Sequence, residues 1–225
     1  MSDNPLDNPF WSSLQTRHAH LALRAEGVAR YPAEYAPFLG VAEGGLAADE
    51  PLSTLVAPGE SVYLLGVTPQ VPAGWTLVPL GLLAQMACDA PLEVVDGPEI
   101  VPLDEAHRAD VLALTGLVYP HYFRARTMEM GRYFGIYDGQ RLAAIIGERL
   151  GTDQHVEMSA ICTHPDYVGR GLASRLTAFL TNDTLARGAT PFLHVSPANT
   201  RAKALYEHLG YRLRAEVPFF ALRRP

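Results

Sequence analysis

The sequence predicts an α/β protein: a mixed, mostly antiparallel sheet flanked by helices, preceded by a smaller N-terminal α/β domain. Three observations predict it. The chain has 225 residues, is 48% hydrophobic and carries a net charge of −6, enough apolar material for a sizeable core and too little charge for disorder. After residue 98 the apolar runs and turn signals read helix, helix, strand, strand, strand, helix, strand, helix, strand, the pattern of a sheet with helices on its faces. The texture changes at Asp96-Gly97-Pro98, a turn that divides the chain into residues 1–98 and 99–225.

In the first part, Trp11 to Arg24 reads as an amphipathic helix with Leu14, His18, Leu21 and Ala22 on one face. A second short helix is expected over Ala33–Leu39. Ser61–Val67 is an apolar run bounded by Gly and Pro and reads as a buried strand; Trp75–Pro79 is another strand, and Leu80–Asp89 fits either helix or strand. In the second part, Asp104 caps a helix to about Thr115. A short helix or loop follows over Tyr122–Glu129. Arg132–Tyr137 and Arg141–Arg149 are strands joined by Asp138-Gly139, a strong hairpin turn. Gln154–Thr163 is a strand, Gly169–Arg187 a long helix closed by Gly188, Phe192–Ser196 a strand, Asn199–Leu209 a helix ended by Gly210, and Tyr211–Leu222 a final strand.

Composition excludes several classes of function. A net charge of −6 and a pI near 5.7 argue against a nucleic-acid partner. No run reaches the ~18 apolar residues of a membrane span. Met1–Pro5 lacks the basic and apolar regions of a secretory signal. Cys88 and Cys162 lie far apart and form no CxxC pair, so neither a disulfide scaffold nor a cysteine-rich metal site is expected. These readings predict a cytoplasmic protein with no metal.

The chemistry concentrates after the strand that ends at Thr163. His164-Pro165 breaks that strand, and a glycine-rich turn, Val168-Gly169-Arg170-Gly171-Leu172-Ala173-Ser174, opens the long helix. A helix N-terminus exposes unpaired N–H groups and the positive end of the macrodipole. Glycines admit a ligand close to that backbone. Strand, glycine turn and helix together suit a phosphate or pyrophosphate, and Arg170 and Arg175 add charge. The turn lacks the Lys of a P-loop, and Arg175 stands where a dinucleotide fingerprint needs its last glycine.

Downstream lies NTRAKALYEHLGY over residues 199–211. The turn and this segment together resemble the GNAT superfamily of N-acetyltransferases, whose motifs read [QR]xxGx[GA] and NxxAxxLYxxxGF. The resemblance covers about residues 100–220. It departs at Val168, which holds the [QR] place. The runs ExSAxCTHP and PFLHVxxxN resemble the glycine N-acyltransferase-like branch, in which a degenerate GNAT-like half precedes the catalytic domain.

The resemblance implies acetyl-CoA, or another short acyl-CoA, as donor. Its pantetheine arm would pair with Ile161, Cys162 and Thr163, with the Ile161 N–H polarising the thioester carbonyl. The pyrophosphate would lie over Gly169–Ser174, and Asn199 would cap its helix and contact the cofactor. Tyr206 is the implied general acid for the departing thiolate. The base is left open between Glu157, expected by strand alternation on the same face as Ile161, His194 on the neighbouring strand, and water. Cys162 reads as a buried apolar residue rather than a nucleophile.

The acceptor pocket is expected from segment 119–129: Tyr119, His121, Tyr122, Arg124, Arg126 and Glu129, with Arg124 or Arg126 holding a substrate carboxylate. An alkyl amine of pKa ~10 must lose ~3 pK units at neutral pH, about 4 kcal/mol, and an α-amine near 8 only about 1.4 kcal/mol. A weak base therefore favours an α-amine. The reading is an N-acetyltransferase acting on a primary amine of a small molecule or amino acid by direct attack on the thioester. The alternatives are an acyl-CoA sensor without turnover and a protein N-terminal acetyltransferase. A homodimer is a further expectation.

Overall fold

The computed structural model describes residues 4–42 and 48–225; the reading of Met1–Pro5 falls largely outside them. The chain opens with α1 (Pro9–Gln15) and a small antiparallel sheet of β1 (Leu23–Ala25), β2 (Val28–Arg30) and β3 (Leu39–Val41). After α2 (Asp49–Leu55) come β4 (Ser61–Leu65), β5 (Thr76–Ala87) and β6 (Val101–Leu103), then α3 (Arg108–Val118). A hairpin of β7 (Tyr133–Asp138) and β8 (Arg141–Gly151) turns at the expected Asp138-Gly139 and leads into β9 (His155–Thr163). The rest is α4 (Leu172–Ala186), β10 (Thr190–Val195), α5 (Thr200–Leu209) and β11 (Arg212–Arg223).

The large sheet has eight strands in the order β4-β11-β5-β10-β9-β8-β7-β6. Within it β9 and β10 run parallel and every other pair is antiparallel. The turn at residues 96–98 does not divide this sheet. β5 precedes that turn, yet it lies between β10 and β11, pairing Ala84–Ala87 with Phe192–Val195 and running along β11 from Arg212 to Arg223. The segment Leu80–Asp89, ambiguous by pattern, is strand for most of its length because β10 and β11 both offer it a ladder.

Two local expectations change. The helix from Trp11 stops at Gln15. The Thr16 hydroxyl returns to the Ser12 carbonyl, and the His18 N–H bonds the Ser13 carbonyl, closing the helix so that His18 can enter the interior. There its Nε2 donates to the Met130 carbonyl, and Nδ1 meets the Ser13 and Tyr31 hydroxyls at 3.1 and 2.9 Å. Tyr31 and Ser13 are fully buried and His18 almost so. A polar cluster without water must satisfy itself, and this one ties the first 31 residues to the strand region after Met130. Residues 33–39 form a turn running into β3 rather than a helix, with Tyr35 and Ala36 N–H groups both returning to the Pro32 carbonyl.

The sheet carries a core on each face. On one, α4 and α5 bury Leu172, Leu176 and Tyr206 against Met158, Leu193 and Met86; full burial of a residue such as Leu176 is worth ~1.5–3 kcal/mol. On the other, Phe10, Phe38, Leu150, Phe192 and Val217 pack the N-terminal segment onto the strands. On that side Gly147 lies under the Tyr133 ring, where a Cβ would sit 2.2 Å from the nearest ring carbon. Beside it the buried Glu148 carboxylate is held by Arg17, Arg132 and Arg187 at 2.6, 2.6 and 2.5 Å.

Candidate active site

β9 and β10 pair only from Thr190–His155 to Phe192–Glu157. Beyond Phe192 β10 turns to β5, and β9 stays with β8. The gap between them is the mouth of a cleft of about 390 Å³. Glu157, Ile161 and Cys162 line it from β9, Leu193 and His194 from β10, and Asn199 and Tyr206 from α5 and its cap. The expected residues of these three elements, all but Thr163, are thus brought together.

A bulge shapes the β9 wall. β8 spends two residues, Ile145 to Gly147, where β9 spends three, Cys162 to Ser159, and Ala160 takes φ +50°, the one positive φ at a non-glycine among the described residues. Left-handed backbone costs such a residue roughly 1–2 kcal/mol, and bulges of this kind re-aim side chains beside active sites. Here the bulge breaks the period-two alternation. Ile161 packs with Met158 in the α4-side core, whereas Glu157 points to the opposite face. The expectation that Glu157 and Ile161 share a face is therefore corrected: it counted residues and did not include the bulge.

The turn before α4 has the geometry its sequence implies. Gly169 and Gly171 hold φ +88° and +76°, and a Cβ at either would meet nothing within 4 Å. The first bond of the helix runs from the Arg175 N–H to the Gly171 carbonyl, so the N–H groups before it face an open surface. Val168 and Arg170 are exposed and Leu172 is buried; Ala173 and Ser174 are half-buried. These residues fit an anionic phosphate group. Arg170 lies over the Tyr167 ring, 4.6 Å from its centroid. Arg175 bonds the Pro98 and Val95 carbonyls through Nε and Nη1 and so tethers the inter-half segment.

Tyr206 is 7% exposed and its hydroxyl makes no hydrogen bond to a described residue. Burial raises its pKa, which keeps the phenol protonated. Asn199 caps α5, accepting from the Ala202 N–H at 3.1 Å. The Cys162 thiol is pushed up to about 12 by burial, which leaves it a thiol and not a nucleophile. Thr163 is half-buried at the end of β9 opposite Ala144.

The two base candidates form one network. Glu157 accepts from Arg149 through both carboxylate oxygens (3.0 and 3.2 Å), from the Leu150 N–H and from His194 Nδ1 at 2.8 Å. Burial by itself raises the Glu157 pKa, but the Arg149 charge and the His194 hydrogen bond outweigh it and hold the carboxyl well below the usual range. The Gln85 amide donates to the Leu6 carbonyl and to His194 Nε2 at 2.9 Å, and accepts from Arg214. Because the Leu6 carbonyl needs a donor, the Gln85 NH₂ faces it, and His194 Nε2 is then the acceptor. Glu157 and His194 therefore have their lone pairs filled by protein donors, so neither offers a vacant site for a substrate proton. In this arrangement the two expected bases form a fixed polar wall of the cleft.

Segment 119–129 contributes only part of what was expected. Tyr119 and Tyr122 line the cleft. His121 is exposed and stacks edge-on to Tyr122. Arg126 and Glu129 pair with each other at 2.5 Å on the surface, Glu129 also with Arg108 at 3.0 Å. Arg124 is half-buried outside the cleft lining. None of these three lines the cleft; Arg126 and Glu129, three residues apart, satisfy each other locally. The cation that does reach it is Arg149, which pattern reasoning missed; its place on a buried strand opposite Glu157 is set by β8–β9 pairing alone. Also unforeseen were Phe10, Phe38, Leu65, Leu80 and Leu83, all from residues 1–98.

The fold and site combine a splayed parallel pair, a glycine turn at a helix start on one side and a tyrosine at the gap, an arrangement that suits an acyl-CoA-type transferase. The FR47-like protein family matches residues 133–219. A crystal structure of a GNAT-family acetyltransferase protein from Novosphingobium aromaticivorans DSM 12444 is 33% identical, covers 99% of this chain and 100% of its own, and superposes with a TM-score of 0.89. A GCN5-related N-acetyltransferase from Kribbella flavida is 16% identical over 95% of this chain and 93% of its own (TM-score 0.63), and a GCN5-related N-acetyltransferase-like protein from Streptococcus suis 89/1591 is 18% identical over 89% and 85% (TM-score 0.57); these two show the fold. No curated protein matches the chain. The chain belongs to the GNAT family of acetyltransferases and is an acetyltransferase enzyme.

Proposed function

We propose that the protein transfers the acetyl group of acetyl-CoA to the primary amine of a small molecule by direct attack on the thioester. The observation that carries this is the gap between β9 and β10, where the Tyr206 hydroxyl, which bonds no described residue, and the Ile161 backbone meet a cavity lined by residues from both faces of the sheet. The residues to hold the donor are the Gly169–Ser174 N–H groups for the pyrophosphate and Ile161–Thr163 with Asn199 for the pantetheine arm; bound there, the thioester supplies the activated acyl group. The amine forms the new C–N bond as the C–S bond breaks. Tyr206 gives its proton to the departing thiolate, and Cys162 takes no part. With Glu157 and His194 fully bonded, the amine's proton leaves to water. The motifs shared with glycine N-acyltransferase-like proteins support a small acceptor.

Calorimetric titration with acetyl-CoA, followed by thiol release against a panel of amines, tests the proposal. Binding with release for one amine class supports it; binding with no release from any amine overturns turnover; no binding overturns the donor site.

A further inference from the structure

The cleft has two chemically different ends. Ile161, Asn199 and Tyr206 belong to the α4 and α5 side, while the opposite side is closed by aromatic rings from both halves of the chain. Tyr122 is its centre, with ring centroids of Phe38, Tyr119 and Phe219 at 6.4, 5.5 and 5.9 Å. Phe10 stacks on Phe38 at 4.3 Å, and Tyr63 supports Tyr122 from behind at 5.0 Å. Apart from phenols and the Cys162 thiol, the ionisable groups lining the cleft are Arg149, Glu157 and His194. Arg149 neutralises Glu157, so no unpaired carboxylate among the described lining residues awaits a polyamine.

Arg149 itself is only partly spent. Nε and Nη2 go to Glu157 and the Tyr119 phenol oxygen takes a further guanidinium hydrogen bond, which leaves two of the five N–H groups for a ligand. The guanidinium lies over Phe38, 4.9 Å from the ring centroid, with 10% of the side chain exposed. A guanidinium fixed on one edge by a carboxylate and on its face by a ring presents its remaining N–H groups in a set direction. In an apolar setting a charge-assisted bond from them is strong.

We infer that the acceptor is a free α-amino acid with a large apolar or aromatic side chain, its carboxylate bound by Arg149 and its side chain by the ring cluster around Tyr122. This rests on the acetyl-transfer reading above. It also accounts for the absence of a vacant base. A carboxylate next to an ammonium group holds the proton in place, and pairing that carboxylate with a cation releases the hold. Arg149 thus eases deprotonation of the amine without accepting a proton.

The test is thiol release by the full chain with acetyl-CoA and L-phenylalanine, L-phenylalaninamide, glycine or spermidine. The amide has the more easily deprotonated amine and outpaces the acid unless the carboxylate is bound. The expected kcat/KM for L-phenylalanine is at least about tenfold above the amide and above glycine, a floor set by the loss of about one methylene's contact, a lost polar partner costing more. R149K is expected to erase the preference for acid over amide and to leave acetyl-CoA affinity unchanged. Faster turnover of spermidine, glycine or the amide overturns this inference while acetyl transfer stands; no turnover of any amine with acetyl-CoA bound overturns both. If R149K loses acetyl-CoA binding, the acid-to-amide ratio of the native protein decides.

Discussion

At the scale of the residue, Tyr206 and Gly171 carry separable tasks. Tyr206→Phe removes one oxygen from a hydroxyl that bonds no described residue, so no structural bond is lost. Turnover is expected to fall by roughly 10²-fold or more with acetyl-CoA affinity unchanged, as read by steady-state kinetics beside calorimetry; an unchanged rate rejects the acid role. Gly171 sits in left-handed backbone with open space at its Cβ position. Gly171→Ala and Gly171→Glu share the same strain of about 1–2 kcal/mol, but only the second sets a carboxylate at the helix N-terminus. Acetyl-CoA binding is expected to be lost in the Glu variant and kept in the Ala variant. Equal affinities for both would remove the pyrophosphate from this turn.

At the scale of the element, two packings carry predictions, one between the halves and one within the second. His18 is buried among Ser13, Tyr31 and Met130, and burial, against the pull of its hydrogen bond to Met130, lowers its pKa to about 4 from 6.5. The native state therefore binds this proton less readily than the unfolded chain. Its contribution is present in full above pH 6.5 and is lost as pH falls toward 4, an effect of at most ~3 kcal/mol. Urea unfolding at pH 7 and pH 4.5 is expected to show that loss in the native protein and a smaller one in His18→Gln. The second packing is Gly147 beneath Tyr133. Gly147→Ala places a methyl carbon inside the ring's contact distance on a buried strand, and overpacking of this kind costs about 1–3 kcal/mol, to be read as a lowered denaturation midpoint.

At the scale of the whole molecule, the sheet determines what a fragment does. β5 lies between β10 and β11, and β4 pairs the far side of β11. Residues 99–225 alone would expose the inner edges of both β10 and β11, long unpaired ladders that favour aggregation. The fragment is expected to lack a cooperative unfolding transition and to bind no acetyl-CoA; a folded, binding fragment would show the first part to be dispensable. The aromatic end of the cleft leads to the same expectation, since Phe10, Phe38 and Leu65 come from the first part.

The sequence by itself determined the second half nearly strand for strand, together with the glycine turn that opens α4 and the cap of α5. Those signals are local: an Asp-Gly hairpin, glycines at a helix start, an Asn cap and the LY pair each act within a few residues. Tertiary structure decided the rest. The bulge at Ala160, the pairing of Arg149 with Glu157, the capture of His194 by Gln85 and the insertion of β5 depend on which strands lie side by side. Pairing register is a long-range property that no window of one strand contains. For the same reason Arg126 and Glu129 looked available in sequence and are spent on each other in space, while Arg149, unremarkable in its strand, is the cation that reaches the cleft.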